Sequence, residues 1–280
     1  MEASTIRARV DKGLPITDVL IIDGLVSIPV EPGNTYASYF PFNTAQDELI
    51  TMDRLGIDKA CVITFDNDPT LRAMEAHPDR FIGFCFVNPN YPNEVVPLLE
   101  RCFDAGMQGI KLHPAAHTHY YPIDGRNYRP VFEFAASRGC PILIHSGPRT
   151  EADLRMNRPS LIAKVAAWYP DAPFIISHCG AYDPKETWDA LDEAVEAART
   201  YENVYLNFNT LARYFGVIEY LVEKVGAEKV IFGSDAPQHC FIAEVGHVAF
   251  AKVSEADKAK IFGLNMARLL GMAVEIGGST

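Results

Sequence analysis

Residues 139–145 read Gly-Cys-Pro-Ile-Leu-Ile-His, GCPILIH. A glycine stands where a helical pattern stops, an apolar run follows, and the run ends on an imidazole. Glycine suits the left-handed position that terminates a helix. A short apolar run behind it reads as a buried strand. The same order of events recurs on both sides. Upstream lie DVLIID (18–23), KACVIT (59–64), FIGFCFV (81–87) and GIKLH (109–113). Downstream lie FIISH (174–178), VYLNFN (204–209) and VIFGSD (230–235). Gly56, Gly106 and Gly226 also sit at helix stops, and residues 44–47 and 254–257 fit capping boxes at helix starts.

Strand, helix, glycine, strand, repeated eight times, implies parallel strands joined by right-handed helical crossovers. Eight such units close most naturally into a (β/α)8 TIM barrel. An open doubly wound sheet is the alternative, disfavoured because no glycine-rich phosphate loop follows the first strand. No linker or composition break divides the chain. Residues 18–280 are expected to form one barrel domain, with residues 1–17 an N-terminal extension, helical from about Ile6 to Lys12.

The 280 residues can bury a full core, and 48% hydrophobic with 22% charged content is ordinary for a globular protein. A net charge of −11 with scattered Lys and Arg argues against a nucleic-acid surface. No run approaches the ~18 apolar residues of a membrane span. The N-terminus lacks an apolar segment of the secretory type, so a cytoplasmic protein is expected. The six cysteines are widely spaced without CxxC and read as small buried hydrophobes in a reducing compartment. Cys179 is singled out because it adjoins His178. A small-molecule substrate is the expected partner, and homo-oligomerisation is compatible with the sequence.

Four of the apolar runs finish on a group able to carry a proton or a metal: His113, His145, His178 and Asp235. Active sites of this barrel form at the C-terminal ends of the strands, so these four would converge on one mouth. Any one histidine taken alone reads as a strand cap; four at the same relative position read as a site. Lys111 shares the parity of His113 and faces the same way. Asn207 and Asn209 share a face with Tyr205 in the same manner.

The motifs GIKLHP (109–114), PILIHSG (141–147), FIISHCG (174–180), VIFGSDAP (230–237) and IFGLNMARLLG (261–271) resemble, in order, an amidohydrolase-related family. That family includes aminocarboxymuconate-semialdehyde decarboxylase and several lactone hydrolases. The resemblance implies the barrel fold and one divalent metal, often zinc. The metal would be held by an HxH on strand one, a strand-five histidine and a strand-eight aspartate, with a strand-six histidine over the metal-bound water. By position these are His145, Asp235 and His178. The strand-one pair falls on Leu25 and Ser27, neither of them a histidine.

The expectation is a hydrolase of a small ester, lactone or amide, with water activated by Asp235 or His178, with or without zinc. Its alternatives are a non-oxidative decarboxylase of a small carboxylate and a non-catalytic barrel. Asp235, His178 and His145 are the catalytic candidates, and the same three are the metal candidates. Lys111, His113, Tyr121, Arg149 and Asn207 are the candidate substrate contacts. Lys111 would stabilise a developing oxyanion. Arg126 and Arg213 are further arginines able to take a carboxylate. The aromatic loop YASYFPF (36–42), with Tyr120, suits a lid. His117 and His119 form the only HxH in the chain and read as solvated loop residues; His77 and His247 read as surface residues. Residues 185–199 read as a solvated helix face.

Overall fold

The computed structural model describes residues 5–28, 45–147, 155–181, 187–211 and 214–273. Thr44, the loop at 36–42, Arg149 and Arg213 lie outside them. Eight parallel strands run in chain order: β1 (Ile22–Ser27), β2 (Lys59–Ile63), β3 (Phe81–Phe86), β4 (Gly109–Leu112), β5 (Ile142–His145), β6 (Phe174–Ser177), β7 (Val204–Asn207) and β8 (Val230–Ile231). The (β/α)8 barrel expected from the sequence is the fold. Between the strands pass α2 (Ala45–Leu55), α3 (Asn67–Ala76), α4 (Pro92–Asp104), α5 (Arg129–Arg138), α6 (Pro159–Trp168), α7 (Thr187–Thr200) and α8 (Val217–Val225). The short N-terminal helix α1 (Ile6–Asp11) packs on α9 (Phe241–Phe250), which follows the last strand. Then come α10 (Glu255–Ala259), one π-helical turn and α11 (Asn265–Leu269).

The helix stops and starts follow the sequence. Gly139 ends α5 at φ 62°, ψ 25°, the left-handed position a side chain would disfavour. Ser254 caps α10 by accepting from the Asp257 N–H at 3.1 Å, while its hydroxyl donates to that residue's carboxylate at 2.7 Å. In α7, Leu191, Ala194 and Ala198 are buried and Glu193 pairs with Arg158 at 2.6 Å. Residues 185 and 186 lie outside the described residues; from Asp189 to Arg199 the helix is solvated on one face only.

Alternation divides the core. Ile142 and Ile144 face the helices, whereas Leu143 joins Ile22, Cys61, Ile82, Phe84, Ile175 and Ile231 inside the barrel. Each such side chain, fully buried, contributes about 1.5–3 kcal/mol.

Strand one starts later than the apolar run suggests and reaches Ser27; strand eight is much shorter than its run. The Phe232 N–H goes to the Ile261 carbonyl at 3.0 Å, and Asp235 turns to φ 57°. The ring closes through these irregular segments. Gly24 N–H donates to the Phe232 carbonyl at 2.9 Å, Asp235 N–H to Leu25 at 2.9 Å, and Ser27 N–H to Ala236 at 2.7 Å. A Cβ on Gly24 would lie 2.8 Å from the Phe232 oxygen, so only glycine permits this approach. Where the β1 register shifts, the Asp23 carboxylate accepts from Leu25 N–H (3.0 Å) and Ser234 N–H (2.9 Å).

Asp23 is fully buried, and burial pushes its carboxyl up to about 7 against the pull of those hydrogen bonds. Glu48 of α2 is also buried, with no hydrogen-bond partner for either oxygen among the described residues. Burial, then the charge of Asp23, pushes it well above the usual carboxylate range. Such acids favour the fold in their protonated form. The Asp23 contribution is complete below about pH 4 and is lost as the pH rises to about 7. Its upper bound is on the order of 4 kcal/mol, at about 1.4 kcal/mol per tenfold displacement of the proton. Asp23→Asn keeps an acceptor and removes the titration. Its urea midpoint should change less than that of the wild type between about pH 5 and about pH 8. An equal change in the two proteins would mean that Asp23 is ionised in the fold throughout.

Candidate active site

The inward parity of β4 sends Lys111 into the barrel mouth, because Ile110 and Leu112 face the helices. Gly109, one alternation below, leaves space for the Phe84 ring; a Cβ there would sit 2.4 Å from it. His145 ends β5 with the parity of inward Leu143. His178 follows β6 in a tight turn, and Asp235 follows β8. These residues and His113 line one cavity of about 30 Å³ with Leu25, Ser27, Ile63, Phe65 and Gln238. All five strand-end residues read from the sequence, Lys111 among them, therefore meet. Gln238 also lines a wider hollow of about 510 Å³, with Asp47, Thr51 and His239.

The three histidines touch in series. His113 stacks on His145 with centroids 3.8 Å apart and planes within 9°. His145 Nδ1 lies 3.0 Å from His178 Nε2, so a single proton can be shared between them. His178 Nδ1 lies 3.4 Å from Thr210 Oγ1, and its backbone N–H donates to Asn209 Oδ1 at 2.9 Å. Thr210 N–H donates to Glu244 Oε1 at 2.8 Å, and His247 Nδ1 stands 3.7 Å from the other Glu244 oxygen. Burial, then the nearby Lys111 charge, pulls His178 well below the usual imidazole range and keeps it neutral. Burial draws Lys111 down to about 8, with Asp235 opposing.

Among the described residues the non-glycine positions with positive φ are His178 (60°), Cys179 (49°), Thr210 (73°) and Asp235 (57°). Such conformations cost on the order of 1–3 kcal/mol each and gather at functional sites. For Thr210, a β-branched residue, the strain is greatest.

Other sequence candidates are placed elsewhere. Asn207 is fully buried beneath the cavity, its amide 3.5 Å from the Phe232 carbonyl and wedged against Gly233. It braces β7 against the closing segment and does not line the cavity. Tyr121 packs half-buried against the apolar helix layer, and Arg126 is exposed on the loop after β4. His119 is exposed and bonds Asn90, as a loop histidine should. His117 differs from expectation. It is buried against Phe86, where burial draws it down to about 4. His247 is also not a surface residue: it is nearly buried, edge-on to Phe208. His77 is half-buried against Phe81. Five of the cysteines are buried and Cys240 is exposed. Cys179 is inert in this setting, because burial pushes its thiol up.

No motif in the sequence marks Thr210, Asn209, Glu244 or His247 as site residues. The parity that Asn209 shares with Asn207 is the one pattern that points to any of them.

The amidohydrolase family model matches residues 38–272. The chain belongs to the amidohydrolase family. No curated protein matches it significantly. Among solved structures, an uncharacterized TIM-barrel protein from Bordetella bronchiseptica is 18% identical, covering 90% of this chain and 99% of its own, with a TM-score of 0.77. A 2,6-dihydroxybenzoate decarboxylase from Rhizobium is 16% identical over 91% and 99%, TM-score 0.71. A 5-carboxyvanillate decarboxylase from Novosphingobium aromaticivorans, with bound manganese, is 18% identical over 92% and 100%, TM-score 0.72. Among the described residues of this amidohydrolase no helix is long and apolar enough to cross a membrane.

The donor set here does not fit such an ion. Leu25 and Ser27 line the cavity where this family's strand-one ligands are expected, and a leucine side chain has no donor atom. His145 and His178 are bonded to each other. Among the described residues no three His, Cys, Asp or Glu side chains are arranged to hold a metal.

Proposed function

We propose that this amidohydrolase-family barrel decarboxylates a small carboxylate non-oxidatively, and does so with its own side chains. The observation that carries this reading is Lys111. It lines the cavity, is 2% exposed, and its Nζ makes no hydrogen bond or ion pair among the described residues. Decarboxylation needs a positive centre to draw electrons from the breaking C–C bond, and a proton for the carbon left behind. Lys111 supplies the first. The His145–His178 pair holds a proton on the line between Nδ1 and Nε2. Asp235 balances the cavity charge by its attraction to Lys111. The recurrence of decarboxylases among the similar structures supports the reading.

The cavity admits the reacting group only, since ligand sites normally span roughly 300–1,000 Å³. The body of the substrate would extend toward Gln238 and the wider hollow. Hydrolysis of a lactone or ester is the second reading, favoured by room for one water beside Asp235. Small aromatic and β-keto acids, then lactones and esters, should be screened by CO2 release and by acid release. Lys111→Met should lower CO2 release roughly 10²–10³-fold, as loss of one charge-stabilising group does. Turnover of lactones or esters without any CO2 would replace decarboxylation by the second reading.

A further inference from the structure

We propose that Lys111 is a covalent nucleophile that forms an imine with a carbonyl group, and that the substrates are β-keto acids. The second half rests on the decarboxylase reading; the first does not.

Two lysines of the described residues are buried, and their amines differ in what they touch. Lys258 is 4% exposed, and its Nζ bonds the Ala249 carbonyl at 3.0 Å and Glu255 at 2.9 Å. It is spent on structure. Lys111 is 2% exposed and has no such bonds among the described residues. It sits at the end of an inward row over the Phe84 ring, and its cavity is walled by Leu25, Ile63 and Phe65. A desolvated amine in largely apolar surroundings, with Asp235 near but no hydrogen bond or ion pair to its Nζ among the described residues, is the activated form of a lysine nucleophile. Its neighbours can move the protons the chemistry needs: the His145–His178 pair on one side and Asp235 on another. The small cavity suits one carbonyl carbon at Nζ.

The steps balance without an oxidant or reductant. The Nζ lone pair adds to the ketone carbon, and the oxygen takes a proton. The carbinolamine loses that oxygen as water and leaves a protonated imine. The bond to the carboxylate then breaks, its electron pair moving to the imine nitrogen as CO2 departs. The enamine takes one proton at carbon, and water hydrolyses the imine to release the ketone and restore Lys111. The positive centre required above is then the iminium itself.

The test is borohydride trapping on the whole chain with acetoacetate as probe, followed by intact mass and peptide mapping. One adduct per chain, located on Lys111, is expected. Lys111→Arg keeps the charge and cannot form the imine, so its trapping should fall to the level of protein without probe. No adduct, or an adduct on other lysines alone, overturns the proposal. The wild-type peptide map decides this even if the variant does not fold. Release of CO2 from acetoacetate with no trappable adduct removes the imine and leaves the decarboxylase reading standing. An adduct on Lys111 without CO2 keeps the imine and removes decarboxylation.

Discussion

Asp235→Asn should lose roughly 10²–10⁴ of the wild-type turnover while melting within a few degrees of it. The substitution separates charge from backbone. Asp235 sits at φ 57°, a conformation that asparagine tolerates better than nearly any other residue except glycine. Its N–H to Leu25 and its carbonyl to the His239 N–H survive the change, so the closing segment stays in place. What disappears is the negative charge facing Lys111 and His239 across the mouth. Turnover of the substrate found by the screen measures the loss, and thermal denaturation controls for folding. Near-normal turnover in this variant would remove Asp235 from the chemistry and leave it a role in shape alone.

The second large effect concerns the missing ligands. Leu25→His combined with Ser27→His should convert the cavity into a site for one divalent cation. Both positions line the cavity that His145 and Asp235 also line. Outer-shell partners alone are worth roughly tenfold to a hundredfold in metal affinity. Two imidazoles contacting the ion should therefore raise affinity by more than about a thousandfold. Leucine to histidine nearly conserves volume. Serine to histidine adds a ring that about 30 Å³ does not hold, so Phe65, 44% exposed at the rim, must swing outward. Calorimetric titration with zinc and with manganese, wild type beside the double variant, gives the comparison. Equal affinities would mean that His145 and Asp235 are not placed as a metal centre requires.

Much of this site is legible in the order of the amino acids. A strand's period of two carries Lys111 and His145 to the inside, because Ile110, Leu112, Ile142 and Ile144 need the apolar helix layer. The residues just past the strand ends, His113, His178 and Asp235, then have one place to go. Parity does not report depth. Asn207 faces inward as expected yet lies beneath the cavity, held by backbone groups of the closing segment. Nor does local pattern foresee pairings across the chain. Thr210 meets Glu244 only because the loop after β7 folds under α9, and that contact also draws His247 inward. The shortness of β8 follows from the Phe232 N–H finding Ile261, a partner almost thirty residues away that no strand pattern announces.

Strand one divides its duties in a way that bears on how such barrels change. Asp23 and Gly24 hold the ring shut, one through a carboxylate and the other through the absence of a side chain. Leu25 and Ser27, immediately beyond, join the seam through backbone atoms alone and turn their side chains to the hollow. The scaffold is thus insulated from its own reagents: imidazoles can come or go at these two positions without unfastening the seam beside them. Side chains at either position can therefore be exchanged for others while Asp23 and Gly24 keep the barrel closed.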